Sequence, residues 1–299
     1  LYILHILHDD SFKGIHLIYS QFKTLEGIGI FKLVLKHHNF IEFKLKKTPN
    51  GEYILDRKPE DVGKPMYASY TGDETPEERE IILNVSNSNW NLVPSSIVNE
   101  LKKTSENNNF GELIKVLMIT SSGAEGISLK NVRYVHIMEP YWHPVRIEQV
   151  VGRARRICSH NELPVEFQTV EVFLYLMKFS NEQLKSDKSI ELRLKDRGKR
   201  KDANGEYPIL TSDEFLYEIS NIKKKFNAEI LYNVKQSAID CLVHSKSSSK
   251  EKIDCFVIGD AKDKDFMYNP DIKEQKTDKS AKLNEKKDRQ NTYFFNLYY

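Results

Sequence analysis

A short apolar run, Tyr134 to Met138, is followed by Glu139-Pro140 and then by Pro144, and this order constrains the chain more than any other stretch. The run reads as a buried strand. Glu139 and Pro140 stop it, and Pro144 stands where a helix begins, because its fixed φ suits the first helical residue and its missing N–H is not needed there. A helix is therefore predicted from about Val145 to Ile157. At about 100° per residue, Ile147, Val150, Val151, Ala154 and Ile157 form one apolar stripe, and Arg146, Gln149, Arg153 and Arg156 form an adjoining polar one. The helix thus buries one face and offers guanidinium groups on the next.

The chain before it repeats the same strand-then-helix rhythm. Gly14 to Ser20 reads as an apolar strand ending at Ser20-Gln21, and Leu25 to His38 carries apolar residues at helical spacing despite two glycines. Ile41 to Leu45 and Tyr67 to Thr71 are further short strands. Thr75, Pro76 and Glu78 spell a capping box, with Thr75 as N-cap and Pro76 at the first helical position. Residues 84–110 are asparagine-rich and poorly periodic, and read as a surface insertion with one short helix near Ser96 to Lys102. Lys115 to Thr120 is a clear strand followed directly by Thr120-Ser-Ser-Gly-Ala-Glu-Gly126. Gly123 and Gly126 permit a tight turn in which backbone N–H groups approach an anion, with the hydroxyls of Thr120, Ser121 and Ser122 alongside. Glu171 to Met177 is one more strand. Strands alternating with helices imply an α/β fold built on a parallel sheet with helices on both faces.

With 299 residues, 39% apolar and 29% charged, the chain is long enough for a sizeable core. Its net charge of +2 excludes a globally basic nucleic-acid binder but not a local basic groove. No apolar run is long enough to span a membrane. Cys158, Cys241 and Cys255 are three in number without a C-x-x-C pair, which predicts buried thiols in a reducing, intracellular compartment and neither a disulfide framework nor a metal site. Beyond Ser180 the character changes. Leu194 to Asp202 is strongly basic, Thr211 to Lys225 and Ala228 to Val243 read as helices, and Ile253 to Ile258 as a late strand. Residues 261–299 are expected to form a polar tail, disordered over 261–289, with an aromatic end, Tyr293 to Tyr299, that docks elsewhere on the chain.

Gln149, Gly152, Arg153 and Arg156 spell Q-x-x-G-R-x-x-R, which resembles motif VI of superfamily 2 helicases, and Trp142-His-Pro resembles the W-N-P preceding it in Snf2-type translocases. Ser20-Gln21-Phe22 resembles motif IV and Thr120 to Leu129 motif V of the same group, in the same order. Within that superfamily the chain resembles the helicase-like nucleoside triphosphatases of large cytoplasmic DNA viruses of the pox, asfar and giant-virus type. The resemblance implies a second RecA-like domain over residues 14–180, preceded by the end of a linker over 1–13 and followed by a mainly helical extension over 181–260. It implies ATP as cofactor with Mg²⁺ held by a first RecA-like domain. Arg153 and Arg156 would be arginine fingers, reaching into a cleft beside the Thr120 turn. Gln149, Gly126, Ser128 and Gly152 would lie at the nucleotide, although Ser128 replaces the Asp or Asn of many members. Ser20, Gln21, Thr120, Ser121, Ser122 and Gly123 would contact a DNA or RNA backbone, and the viral transcription machinery is the partner implied. The sequence contains no G-x-x-x-x-G-K-[ST] loop and no D-E-x-H box, so the chain is expected to be inactive alone, as the second half of a motor. The rival reading is a non-enzymatic nucleic-acid or transcription-complex module that keeps the fold without the motor half.

Overall fold

The computed structural model describes residues 2–24, 26–121, 126–185, 205, 210–238, 241, 253, 255 and 295–298. Leu1–Ser220 with Phe294–Tyr299 form one compact unit, and Asn221–Tyr293 a second. The first unit is built on nine strands: β1 (Ile15–Tyr19), β2 (Ile41–Glu42), β3 (Leu45–Lys47), β4 (Tyr53–Leu55), β5 (Met66–Tyr70), β6 (Ile114–Ile119), β7 (Val132–Ile137), β8 (Glu171–Tyr175) and β9 (Phe295–Tyr298). Seven of them make one sheet in the order β2-β5-β6-β1-β7-β8-β9, each pair parallel, while β3 and β4 form a separate hairpin. The parallel α/β sheet with helices on both faces expected from the sequence is the one formed.

Parallel strands need crossovers, and the crossover helices cover both faces, which is why the central strands are nearly continuous apolar runs. Every residue of β1 and β7 is buried. The pleat then sorts them by face. Leu17, Tyr19, Leu117, Ile119, Val135 and Ile137 pack under α3 (Pro76–Ser86), α4 (Ser95–Leu101) and α5 (Pro144–Ala154). Ile18, Val116, Met118 and Tyr67 pack under α1 (Tyr2–His8) and α2 (Ile28–His37). Residues 1–13 are thus more than a linker end, since Ile3, Leu4 and Leu7 of α1 are core. Helix α2 starts at Ile28 and not at Leu25, because the chain first turns back so that the Ile28 N–H meets the Phe22 carbonyl at 2.9 Å.

The capping box at α3 is formed, with Glu78 N–H to Thr75 Oγ1 at 3.3 Å and Thr75 N–H to Glu78 Oε2 at 2.9 Å. The asparagine-rich stretch, expected as a surface insertion, is instead part of the core. Ile97 and Leu101 of α4 are fully buried. Asn108 is also fully buried, and its amide meets Ser86 O, Ile114 O, Leu113 N and Ile114 N at 2.9–3.3 Å. An amide that both donates and accepts can replace water inside a fold, so polarity alone misread this segment.

Two helices were expected after Thr211, but one continuous helix, α7 (Ser212–Ser237), is present; α6 (Asn181–Lys185) precedes it. Nothing between Lys225 and Ala228 breaks a helix. The Thr211 cap is formed, its Oγ1 accepting the Glu214 N–H at 3.2 Å. The thiols were expected to be reduced and buried. Cys241 and Cys255, 14 residues apart in the second unit, form a disulfide with Cα atoms 5.7 Å apart, and Cys158 is exposed. An odd cysteine count does not prevent one pair from meeting. The aromatic end does dock, for Phe295–Tyr298 adds to the sheet beside β8. The basic stretch 194–202, residues 261–289 and most of 253–258 lie outside the described residues. Among the described residues no helix is long and apolar enough to cross a membrane.

A buried polar chain crosses β1, β7 and β8. His16 Nε2 meets the Phe12 carbonyl at 3.2 Å, His16 Nδ1 meets His136 Nε2 at 3.0 Å, and His136 Nδ1 meets the Tyr175 hydroxyl at 2.8 Å. One proton order satisfies every link: Nε2–H of His16 to the carbonyl, Nε2–H of His136 to His16, and Tyr175 O–H to His136. Both rings are therefore neutral. Burial, with Lys115 and Arg133 adding to it, lowers the His16 pKa to about 3, and burial lowers that of His136 well below its ordinary value. Because the folded values lie below the unfolded value of about 6.5, the stabilisation is fully present above that pH and is lost as pH falls toward the folded values. Two such groups give a slope of up to about 2.7 kcal/mol per pH unit. Urea unfolding between pH 7 and pH 5, where ordinary carboxylates stay ionised, is expected to show it, and the His16→Phe/His136→Phe variant is expected to show a flatter profile. Removing the cap, Thr75→Ala, is expected to cost about 1 kcal/mol in the same measurement.

Candidate functional site

The register of the sheet places the expected contact residues side by side at one edge. Tyr19 pairs with both Ile119 and Ile137, and Tyr70 pairs with Ile119, so the residues that follow them, Ser20, Thr120, Met138-Glu139 and Thr71, share the carboxyl edge. Ligands of open parallel sheets bind at this edge, where strand order reverses.

These groups are tied together. The Ser20 hydroxyl donates to Glu139 Oε1 at 2.9 Å, the Gln21 N–H donates to the same oxygen, and Gln21 Nε2 reaches the Pro140 carbonyl at 3.4 Å. Burial raises the pKa of Glu139, opposed by those two hydrogen bonds. Gly27 is required beside this turn, since a Cβ there would lie 2.1 Å from the Phe22 carbonyl oxygen and 2.3 Å from Ser20 Oγ. Thr120 Oγ1 donates to the Thr71 carbonyl at 3.3 Å. Ser20 and Thr120 are 0% and 3% exposed, so their hydroxyls hold the edge together and the half-buried Gln21 and Ser121 present polar groups outward. Ser122 and Gly123 lie outside the described residues. Glu139 was not predicted as a site residue; a carboxylate directly after a buried strand was the available signal.

The arginines stand elsewhere. Pro144 begins α5 as predicted, with His143 Nδ1 accepting the Val145 N–H at 3.3 Å, and Ile147, Val150 and Ala154 are buried. The helix ends at Ala154, however, three residues before the predicted end. Ser159 Oγ lies 3.2 Å from Ala154 O and 2.8 Å from Arg156 O and accepts the Arg156 N–H at 3.3 Å, so the chain turns away. Arg156 and Ile157 therefore leave the two helical stripes, and Ile157 is 97% exposed.

The Leu129 N–H meets Arg153 O at 3.4 Å and the Asn131 N–H meets Ser159 O at 2.9 Å. These contacts place the arginine end of α5 at the start of β7, not beside the Thr120 turn. Eleven residues of helix at about 1.5 Å each separate the two ends of α5 by about 16 Å. Sequence adjacency of motifs hides this, because a crossover helix runs antiparallel to its strand.

At this second end, Arg156 Nη1 donates to Ser128 Oγ, and Ser128 is exposed between buried Ile127 and Leu129. Asn87 fixes the segment, donating to Ser128 O at 2.9 Å and accepting the Lys130 N–H at 2.8 Å. Asn87 sat in the stretch read as an insertion and was missed. Gly126 has φ +77° with open space around a built Cβ, and Gln149 and Gly152 are exposed. Among the described residues no ion pair engages Arg153 or Arg156. Arg153 Nε is buried without a hydrogen-bond partner. Two guanidiniums without carboxylates, one with an unsatisfied donor, suit a multivalent anion such as a triphosphate.

Residues 38–158 match the family described as Helicase conserved C-terminal domain. The chain carries a helicase C-terminal domain. It is 34% identical over 164 residues to a putative ATP-dependent RNA helicase of Acanthamoeba polyphaga mimivirus, covering 55% of this chain and 23% of that protein. It is 31% identical over 240 residues to the termination factor NPH-I homolog of African swine fever virus (isolate Pig/Kenya/KEN-50/1950), covering 77% of this chain and 31% of that protein. Nucleoside triphosphatase I of Heliothis armigera entomopoxvirus is 37% identical over 90 residues, 30% of this chain and 14% of that protein. The chain thus spans a third or less of the length of these relatives. The sheet brings Ser20 and Gln21 beside Thr120 at the carboxyl edge, and Ser128 beside Arg156 about one helix length away. Among the described residues no group of three or more His, Cys, Asp or Glu is placed to hold a metal ion.

Substituting Glu139→Ala removes the acceptor of the Gln21 N–H and one partner of Ser20. It is expected to destabilise the domain by about 1–3 kcal/mol in chemical denaturation.

Proposed function

We propose that the chain is the second RecA-like half of an ATP-dependent helicase or translocase acting in viral transcription. A first RecA-like domain would carry the phosphate-cradling loop and the Mg²⁺ ligands. The observation that carries this reading is the pair of guanidiniums at the end of α5, without a carboxylate partner among the described residues and beside Ser128. ATP, when bound, supplies a triphosphate whose terminal group is lost on hydrolysis.

Arg153 and Arg156 orient and neutralise the outer phosphate oxygens; a guanidinium stays charged at any physiological pH and can bind two oxygens at once. Engaging a phosphate draws Arg156 from Ser128 Oγ and so alters the restraint on one end of the segment 120–128. Its other end is Thr120, anchored on the Thr71 carbonyl at the carboxyl edge. There Gln21 and Ser121 follow a nucleic-acid backbone, positioned by Ser20, Glu139 and Gly27. Contacts of this kind grip phosphate and sugar without reading bases, so they serve DNA and RNA alike. Gln149, Gly126 and Gly152, all exposed, line the approach to the nucleotide.

In the complete protein, Arg153→Ala or Arg156→Ala is expected to lower ATP turnover by about 10³-fold or more, the scale of arginine-finger effects in GTPases. Nucleic-acid affinity, read by fluorescence anisotropy, is expected to change little. Near-native turnover in both variants would sink the motor reading and favour a binding module that has kept only the fold.

A further inference from the structure

A cavity of about 460 Å³ opens between the turn after α5 and the segment entering β8, lined by Arg155, Arg156, Cys158, Ser159, His160, Asn161, Gln168, Thr169 and Val170. None of these side chains is acidic. The nearby Glu162 is already engaged, meeting Lys130 Nζ at 3.0 Å and Asn131 Nδ2 at 3.4 Å. The two arginines of the wall are exposed, and no ion pair engages either among the described residues.

A third guanidinium stands behind the wall. Arg133 is 7% exposed and donates through Nη2 to Thr169 Oγ1 at 3.4 Å and through Nη1 to the Lys13 carbonyl. It lies over the rings of Tyr134 and Phe167 at 5.0 and 4.9 Å, its Nε has no partner, and no ion pair engages it among the described residues. A buried charge is costly without an opposite charge near it, and ring faces compensate only part of that.

The wall is also rigid. His160 Nε2 meets the Val132 carbonyl at 2.8 Å, and its Nδ1 lies 2.8 Å from Ser159 Oγ. The turn bearing Arg155 and Arg156 is thereby pinned to the first residue of β7.

We propose that this cavity is an anion site for a small phosphate-bearing ligand of nucleotide size, with Arg155 as its main contact. Arg156, Asn161 and Thr169 complete the lining, and the buried Arg133 contributes positive potential through Thr169. The volume falls in the range of small-molecule pockets. Arg155 is not one of the two arginines of the Q-x-x-G-R-x-x-R pattern, so the site does not depend on the motor reading.

The test uses the 299-residue chain at low ionic strength, titrated calorimetrically with inorganic pyrophosphate, with ADP and with a single-stranded oligonucleotide. Saturable pyrophosphate binding is expected, weakened about tenfold or more by Arg155→Gln, the loss of one charge-assisted contact. ADP binding more tightly than pyrophosphate in an Arg155-dependent manner identifies a nucleotide as the source of the phosphate. Should Arg155→Gln fail to fold, Asn161→Asp places a carboxylate in the wall from an exposed turn and is expected to abolish binding. The proposal is overturned by pyrophosphate binding that neither variant changes, by no binding at millimolar concentration, or by Arg155-dependent binding of the oligonucleotide alone. Failure of the motor reading registers separately, as ATP turnover in the complete protein that ignores Arg153.

Discussion

Strand β1 is hydrogen-bonded to β6 on one side and β7 on the other, and the geometry of both ends of the candidate site follows from that pairing. Its carboxyl end fixes Ser20 between Thr120 and Glu139, and no other strand could bring motif IV and motif V residues into one row. β1 lies mid-sheet and is buried on both faces, so most of its five residues are apolar. The His16 ring is accommodated there through the chain of hydrogen bonds to Phe12, His136 and Tyr175.

The same constraint separates two chemistries. Polar groups at the carboxyl edge are held by bonds within the fold, so that buried Ser20 and Thr120 stiffen the edge on which Gln21 and Ser121 are displayed. The arginine end, about one helix length away, is built differently. Among the described residues Arg153, Arg155 and Arg156 have no carboxylate partner, and the backbone around them is pinned by Ser159, His160 and Asn87. Charge left unpaired on a rigid frame is ready for a ligand, whereas charge on a mobile frame would find a neighbouring carboxylate.

Much of the fold could be read in advance because its signals are local. The apolar runs of β1, β6 and β7, the capping box at Thr75 and the proline at the head of α5 each follow from steric and hydrogen-bonding preferences of a few neighbouring residues. Misreadings occurred where a distant partner decides. Asn87 and Asn108 look like loop residues until Ser128, Lys130, Ser86 and Ile114 supply their partners. Ile157 fits the apolar stripe of α5 until Ser159 captures the carbonyls of the last turn. The Cys241–Cys255 bond and the pairing of β9 with β8 likewise join residues that no local pattern links.

The sequence by itself determined the parallel α/β class, the order of the motifs and the membership of a helicase C-terminal domain, since these rest on periodicity and on residue spacing along one chain. Only the tertiary structure decided that the arginines stand at the start of β7 and not beside Thr120. It also decided that Ser20 and Thr120 are buried and that Arg155 and Arg156 line one cavity. Those outcomes depend on crossover direction and on which face of each strand is covered, and both are settled only when the strands pair.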